Sequence, residues 1–204
     1  MSTGQLFIIS APSGTGKTSL VRALIEKFPD VVVSVSHTTR AKRPGEIEGK
    51  DYFFTAGKTF AAMVSNGEFL ENAKVFDNFY GTSQAAVQKQ LDQGLKVILE
   101  IDWQGAERVR ARMRNTISVF ILPPSKAELE NRLCSRGQDS DEVIARRMRE
   151  ARSEISHFNE FDCVILNDDF DYALQELVEL FANSESYQPL SKEKLHRLTT
   201  DLLS

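Results

Sequence analysis

The segment that most constrains this chain is a loop, Ala11-Pro12-Ser13-Gly14-Thr15-Gly16-Lys17-Thr18, set between an apolar run and a helical stripe. The run before it, Gln5 to Ser10, reads as a strand buried on both faces. After it Leu20, Leu24 and Phe28 recur at helical spacing with Val21 and Ile25 beside them, and Pro29 closes the stripe. The β-branched run Val31-Val32-Val33 follows. Strand, loop, helix and strand in that order open a parallel sheet, because parallel neighbours need a crossover between them. The loop fits the phosphate-binding pattern except at its first position, where Ala11 stands for Gly. Gly14 and Gly16 let the backbone turn its N–H groups inward, and the helix points the positive end of its dipole at the same spot. Lys17 is placed to reach the β- and γ-phosphates, and the Thr18 hydroxyl to hold Mg²⁺. Such a loop predicts a nucleoside triphosphate. It does not say what receives the phosphoryl group.

The alternation returns downstream. Val97-Ile98-Leu99 precedes a helical stretch from Gln104 to Met113, and Ile117 to Leu122 is a strand stopped by Pro123-Pro124. Ser125 with Glu128 forms a capping box for a helix through Cys134. Val164-Ile165-Leu166 is a further strand, followed by a helix over 171–181. The expected fold class is α/β, a parallel sheet covered on both faces by helices. Two segments break the pattern. Residues 36–82, rich in Gly, aromatics and charge, with strand signals at Tyr52–Phe54 and Phe69–Phe76, read as an inserted subdomain. Residues 132–157 are polar and arginine-rich and read as a helical flap over a site. In the tail, Leu195, Leu198 and Leu202 keep helical spacing, which suits a terminal helix docked on the body, with an oligomer contact as the alternative.

Composition sets the exclusions. The net charge of -4 argues against a general nucleic-acid binder, which needs a basic excess to displace counterions. Cys134 and Cys163 lie in no metal-ligand spacing and read as reduced thiols, and His37, His157 and His196 are scattered. No apolar run approaches the length of a membrane span, and the first residues lack the basic stretch of a signal sequence. The expected location is the cytoplasm, with no membrane and no nucleic acid as partner.

Acidic and basic residues then suggest an acceptor site. Glu100 and Asp102 follow an apolar run two residues apart, so in a strand both carboxylates would face one side. Arg40 and Arg43 are three apart, with Tyr52 downstream, a set suited to a terminal monophosphate. In the arginine-rich segment, Glu142, Glu150 and Glu154 interleave with Arg146, Arg149 and Arg152, the pattern of a solvated helix laced with ion pairs.

These pieces together resemble the guanylate kinase family. The matching stretches are Ser10–Ser19, Val35–Arg40, Arg43–Glu46, Gly49–Tyr52, Phe69–Glu71, Tyr80–Thr82, Glu100–Gly105, Arg132–Gly137 and Val164–Asp169, in family order. The resemblance implies a single P-loop nucleoside monophosphate kinase-like domain that transfers a phosphoryl group from ATP to GMP with Mg²⁺. Its core would be 1–35, 83–131 and 158–190, its GMP-binding insertion 36–82, its lid 132–157 and its helical tail 191–204. It implies that residues 11–18 cradle ATP, with Lys17 acting on the transferred group, and that Asn167 sits near the adenine. Arg40, Arg43, Tyr52 and Tyr80 would bind the GMP phosphate, with Glu46 in the same GMP-binding set. Ser36, Glu71 and Thr82 would read guanine, whose N1–H and N2–H₂ suit a carboxylate where adenine offers neither donor. Glu100 and Asp102 would divide the GMP ribose or base side and a magnesium-bound water, with Thr18 on the metal. Arg132, Arg136 and Arg147 would close over the triphosphate. Three positions depart from the common pattern: Ala11 for Gly, Thr82 for Ser, and Glu100 for Asp, which carries its carboxylate one methylene further out. The rival readings are a kinase for another monophosphate or a phosphorylated sugar, and a non-catalytic peptide-binding module of the same fold. Acceptance of dGMP and a homo-oligomer stay open.

Overall fold

The computed structural model describes residues 4–75, 77–135, 141–184 and 187–204. In chain order the elements begin with β1 (Gln5–Ser10), α1 (Lys17–Ile25), β2 (Val31–Val33), β3 (His37–Thr38), β4 (Phe53–Phe54), α2 (Gly57–Ser65), β5 (Phe69–Val75) and β6 (Asn78–Ser83). They continue with α3 (Gln84–Asp92), β7 (Lys96–Glu100), α4 (Trp103–Arg112), β8 (Thr116–Leu122), α5 (Lys126–Cys134), α6 (Asp141–Ile155), β9 (Cys163–Leu166), α7 (Phe170–Ala182) and α8 (Lys192–Leu202). The backbone packs as two compact units, one of Met1–Ile8 with Asp30–Thr116 and one of Ile9–Pro29 with Ile117–Ser204. Strand β1 passes from the first into the second.

In the first unit the strands run β2-β7-β1. β2 pairs with β7 in parallel, with Val32 opposite Val97. The apolar run read from sequence is dry: Val97, Ile98 and Leu99 of β7 are buried. A second sheet of order β4-β3-β6-β5 is built from the inserted segment. Its β5 and β6 are antiparallel and carry a bulge: Phe69 faces Ser83 and Glu71 faces Thr82, so Leu70 is an extra residue in β5. Helix α4 packs on β5, and α3 on β7.

In the second unit the order is β1-β8-β9, and β8 pairs with β9 in parallel, with Phe120 opposite Val164. Val119 to Leu122 are fully buried, each such large apolar side chain contributing roughly 1.5–3 kcal/mol. Helix α1 turns Leu20, Val21 and Leu24 inward and packs on α7. Helix α8 docks on this unit, as the leucine spacing predicts. Leu202 is buried, the Asp201 carboxylate accepts from the Lys126 N–H at 3.1 Å, and α8 packs on α6.

Some boundaries differ from the sequence reading. Helix α1 ends at Ile25 although the stripe runs on to Phe28: the chain tightens there, the Lys27 N–H bonding the Leu24 carbonyl at 3.0 Å, and Phe28 precedes a proline, which disfavours the helical region. Ser125 caps α5, its hydroxyl accepting from the Glu128 N–H at 3.1 Å. The return half of the expected box is replaced, since the Glu128 carboxylate pairs with Arg132 Nε at 2.8 Å. Helices α2 and α3 carry little stripe: α2 buries only Phe60, and α3 only Val87 and Leu91.

Candidate functional site

The second unit holds the loop at 11–18. Gly14 and Gly16 both have φ +93°, a conformation L side chains rarely adopt, and each is hemmed in. A Cβ on Gly16 would lie 2.6 Å from the Asn167 amide nitrogen, and one on Gly14 2.9 Å from Leu133 Cδ2. Gly16 is the N-cap of α1 and has no side chain with which to cap the first turn. Lys17 and Thr18 are the first helical residues, directly after the turn. Pro12 is buried, its carbonyl accepting from the Thr15 N–H at 3.3 Å, and Ser13 is exposed. Ala11 sits half-buried where β1 ends.

Two residues singled out from sequence, Asn167 and Arg147, bond this loop, and a third, Arg132, bonds Asn167. Asn167, almost fully buried, donates from Nδ2 to the Thr15 carbonyl at 2.6 Å, and its own N–H bonds the Leu122 carbonyl at the end of β8. Its side chain is thus committed to holding the loop. Arg132, on the last turn of α5, donates from Nη1 to the Asn167 carbonyl at 3.1 Å while Glu128 holds its Nε. Arg147, on α6, donates from Nη2 to Ser13 Oγ at 2.5 Å. Arg136 and Gly137 lie outside the described residues.

The first unit holds two linked clusters. In one, Arg40 pairs with Glu46 at 2.5 Å, and the other Glu46 oxygen accepts from the Arg43 N–H at 2.7 Å. The Arg40 guanidinium lies 5.4 Å from the Tyr52 ring centre, and the Tyr52 and Tyr80 rings meet edge-on at 5.9 Å. The bond to Glu46 raises the Arg40 pKa further, and the same bond from Arg40 holds the Glu46 carboxyl low. Burial pushes the Tyr52 phenol up, and the charge of Glu100 adds to it. Arg43 is exposed beside them.

The second cluster surrounds Glu71. This carboxyl is buried, and its Oε1 accepts from Thr82 Oγ1 at 2.6 Å. Burial pushes its pKa up to about 7; the Thr82 bond opposes the rise and the charge of Asp102 adds to it. Asp102 lies just beyond β7 and caps α4, its Oδ1 accepting from the Gly105 N–H at 2.7 Å. Gly105 leaves the space: a Cβ there would be 3.1 Å from Glu71 Oε2. Ser36 accepts at its carbonyl from the Phe53 N–H, joining β4 to this sheet. Glu100 and Asp102 therefore part company. Glu100, the last residue of β7, acts on Tyr52, whereas Asp102 acts on Glu71. The alternation argument fails at Asp102 because the strand has already ended there.

Sequence reading missed Arg108 and Arg112 of α4, which donate to backbone carbonyls of β5 on either side of Glu71. Their spacing of four was legible, but a basic pair on a helix face is ordinarily only solvated.

A family model described as guanylate kinase matches residues 3–184 of this chain. The chain belongs to the guanylate kinase family. A guanylate kinase of Pseudomonas fluorescens (strain Pf0-1) is 54% identical over 202 residues, spanning 99% of this chain and 98% of that protein. One of Yersinia pestis bv. Antiqua (strain Antiqua) is 50% identical across the whole of both chains. The crystal structure of guanylate kinase from Anaplasma phagocytophilum aligns with a TM-score of 0.75 at 36% identity, covering 91% of this chain and 88% of that one. The parallel α/β core with its helices is thus the fold of a guanylate kinase, as the resemblance predicted. Helix α8 lies past the matched stretch. Among the described residues no helix is long and apolar enough to cross a membrane.

Proposed function

We propose that this chain transfers the γ-phosphoryl group of ATP to GMP, giving ADP and GDP. One observation carries the choice of acceptor: a buried carboxyl, Glu71, held by Thr82 and facing the field of Asp102. A buried carboxylate of this kind is satisfied by a ligand that brings two N–H donors, as guanine does through N1 and N2. Adenine brings neither donor, a loss that a buried polar site turns into strong discrimination. Asp102, beside Glu71, takes the base side with Ser36. Glu100, acting on Tyr52, is left with the other of the two acidic roles. Arg40, Arg43, Tyr52 and Tyr80 hold the acceptor phosphate, and Glu46 fixes the fork of Arg40.

On the donor side, residues 11–18 cradle the ATP phosphates, and Lys17 neutralises charge on the transferred group. Arg147 reaches the loop from α6, Arg132 on α5 bonds the Asn167 carbonyl behind it, and both serve with Arg136 in closing over the triphosphate. Asn167 serves as a brace for the loop. The chemistry needs no side-chain nucleophile. A GMP phosphate oxygen attacks the γ-phosphorus, the bond to the bridging oxygen breaks, and ADP leaves with that electron pair. The donor set fits magnesium bound mainly through substrate: Thr18 offers one hydroxyl, and among the described residues no group of three His, Cys, Asp or Glu could cage a metal. When bound near Thr18, the metal would supply charge neutralisation to the triphosphate. Residues 36–82 act as the GMP-binding part, 132–157 as the lid, and the reaction belongs to cytoplasmic purine nucleotide recycling.

The test is a coupled assay of ADP formation with magnesium-ATP and GMP, dGMP, AMP, CMP, UMP or TMP offered separately. Turnover confined to the guanine nucleotides is expected. Turnover with another acceptor would overturn the role of Glu71, and none with any acceptor would overturn the kinase reading.

A further inference from the structure

The guanine-reading strand is held from behind. β5 is broken by the extra residue Leu70, and the bulge sits immediately before Glu71. In a regular strand, successive carbonyls point to opposite sides. Here the Phe69 and Leu70 carbonyls both accept from one atom, Arg112 Nη1, at 3.0 and 2.9 Å. The convergence falls at the register shift between Phe69 and Glu71, where a bulge breaks the regular alternation of the ladder. Arg108, one helical turn earlier on α4, donates to the Asn72 carbonyl just after Glu71. The two guanidinium groups therefore grip the backbone on both sides of the carboxylate. The same helix begins at Asp102 and backs Gly105 against Glu71 Oε2.

The bulge has a consequence for the side chains. It brings Glu71 opposite Thr82 in register, where the two share a 2.6 Å hydrogen bond. Were the pairing regular from Phe69 onward, Leu70 would stand opposite Thr82 and Glu71 opposite Gly81, on the other face of the strand. We infer that Arg112 is a positioning residue for base selectivity: by pinning the Leu70 bulge it fixes the aim of Glu71 at guanine. Arg108 is its partner on the far side. This rests on the reading of Glu71 as the guanine-reading group.

The test compares Arg112→Met and Arg112→Lys in the wild type and in a Glu71→Gln background, measuring kcat and KM for GMP, AMP and ATP. A charged donor shared by two carbonyls makes its loss worth about tenfold. Arg112→Met should raise KM for GMP and lower the GMP-to-AMP ratio of kcat/KM by about that factor, with KM for ATP unchanged. Arg112→Lys, which keeps a charged donor, should recover part of the loss. In the Glu71→Gln background the effect of Arg112→Met on the ratio should vanish, because its route runs through Glu71. An equal loss with every substrate, or an undiminished effect in the Glu71→Gln background, would overturn the inference. If Arg112→Met does not fold, the lysine variant alone decides it: an unchanged GMP-to-AMP ratio and GMP KM would overturn it. Glu71→Gln by itself separates the two claims. If that variant keeps the wild-type ratio, the reading of Glu71 fails; if only the Arg112 variants keep it, the positioning role fails alone.

Discussion

Glu71 makes the ligand-free protein less stable than it could be, and Glu71→Gln measures by how much. Burial raises this carboxyl from 4.5 to about 7. A carboxyl whose folded pKa lies above its unfolded value favours the fold while it stays protonated. That contribution is complete below pH 4.5 and is lost as pH rises through 7. At roughly 1.36 kcal/mol per pH unit, the window costs the folded state about 3 kcal/mol by pH 8. Glutamine keeps an oxygen for the Thr82 hydroxyl and places an N–H₂ toward Asp102, so the substitution removes the penalty without emptying the site. For a chain of this size, about 3 kcal/mol is a rise in melting temperature of roughly 6–12 °C. The assay is scanning calorimetry of wild type and Glu71→Gln without nucleotide, at pH 8 and at pH 5. The variant should melt higher at pH 8, and the gap should close toward pH 5. A variant that melts at or below the wild type at pH 8, or a gap unchanged with pH, would refute the reasoning. The same substitution should erode the preference for GMP over AMP, so the stability lost to the carboxylate is the counterpart of specificity.

Two further outcomes are expected. Asn167→Ala leaves the Thr15 carbonyl without its 2.6 Å partner and opens space beside Gly16, so it should destabilise the protein by about 1–3 kcal/mol and raise KM for ATP more than for GMP; urea unfolding and steady-state kinetics check both. Burial pushes the Cys163 thiol up to about 11 while Cys134 is exposed, so iodoacetamide at pH 8 should label Cys134 in the native protein and reach Cys163 only after unfolding, as peptide mass spectrometry would reveal.

The parts of this protein legible in the sequence are those fixed by neighbours along the chain. The loop at 11–18 was readable because its demands are local: two glycines at positive φ between an apolar strand and an amphipathic helix. The cap at Ser125 and the strands β7, β8 and β9 were readable for the same reason, since period, branching and a capping hydroxyl act within a few residues. Helices α2 and α3 escaped because each shows the core only one or two side chains, too few to form a stripe. The hydroxyl of Ser83, accepting from the Ala86 N–H, was the one local mark of α3. The arginine-rich segment was legible as a helix from its composition, but only the family resemblance singled out Arg147 among its arginines. Arg147 reaches Ser13 while Arg146 pairs with Glu150 on its own helix.

What the sequence by itself determined, then, is a strand, a phosphate loop and a helix at the start of a parallel α/β chain, and through its ordered motifs the guanylate kinase family. The tertiary structure decided the surroundings of the carboxylates. The separation of Glu100 from Asp102 depends on β7 ending one residue before Ile101, and the high pKa of Glu71 depends on the burial that folding imposes. The aim of Glu71 depends on a single extra residue in β5 and on a guanidinium 42 positions away from Leu70. Register and burial are properties of paired strands and packed helices, and a lone chain carries neither until those partners meet.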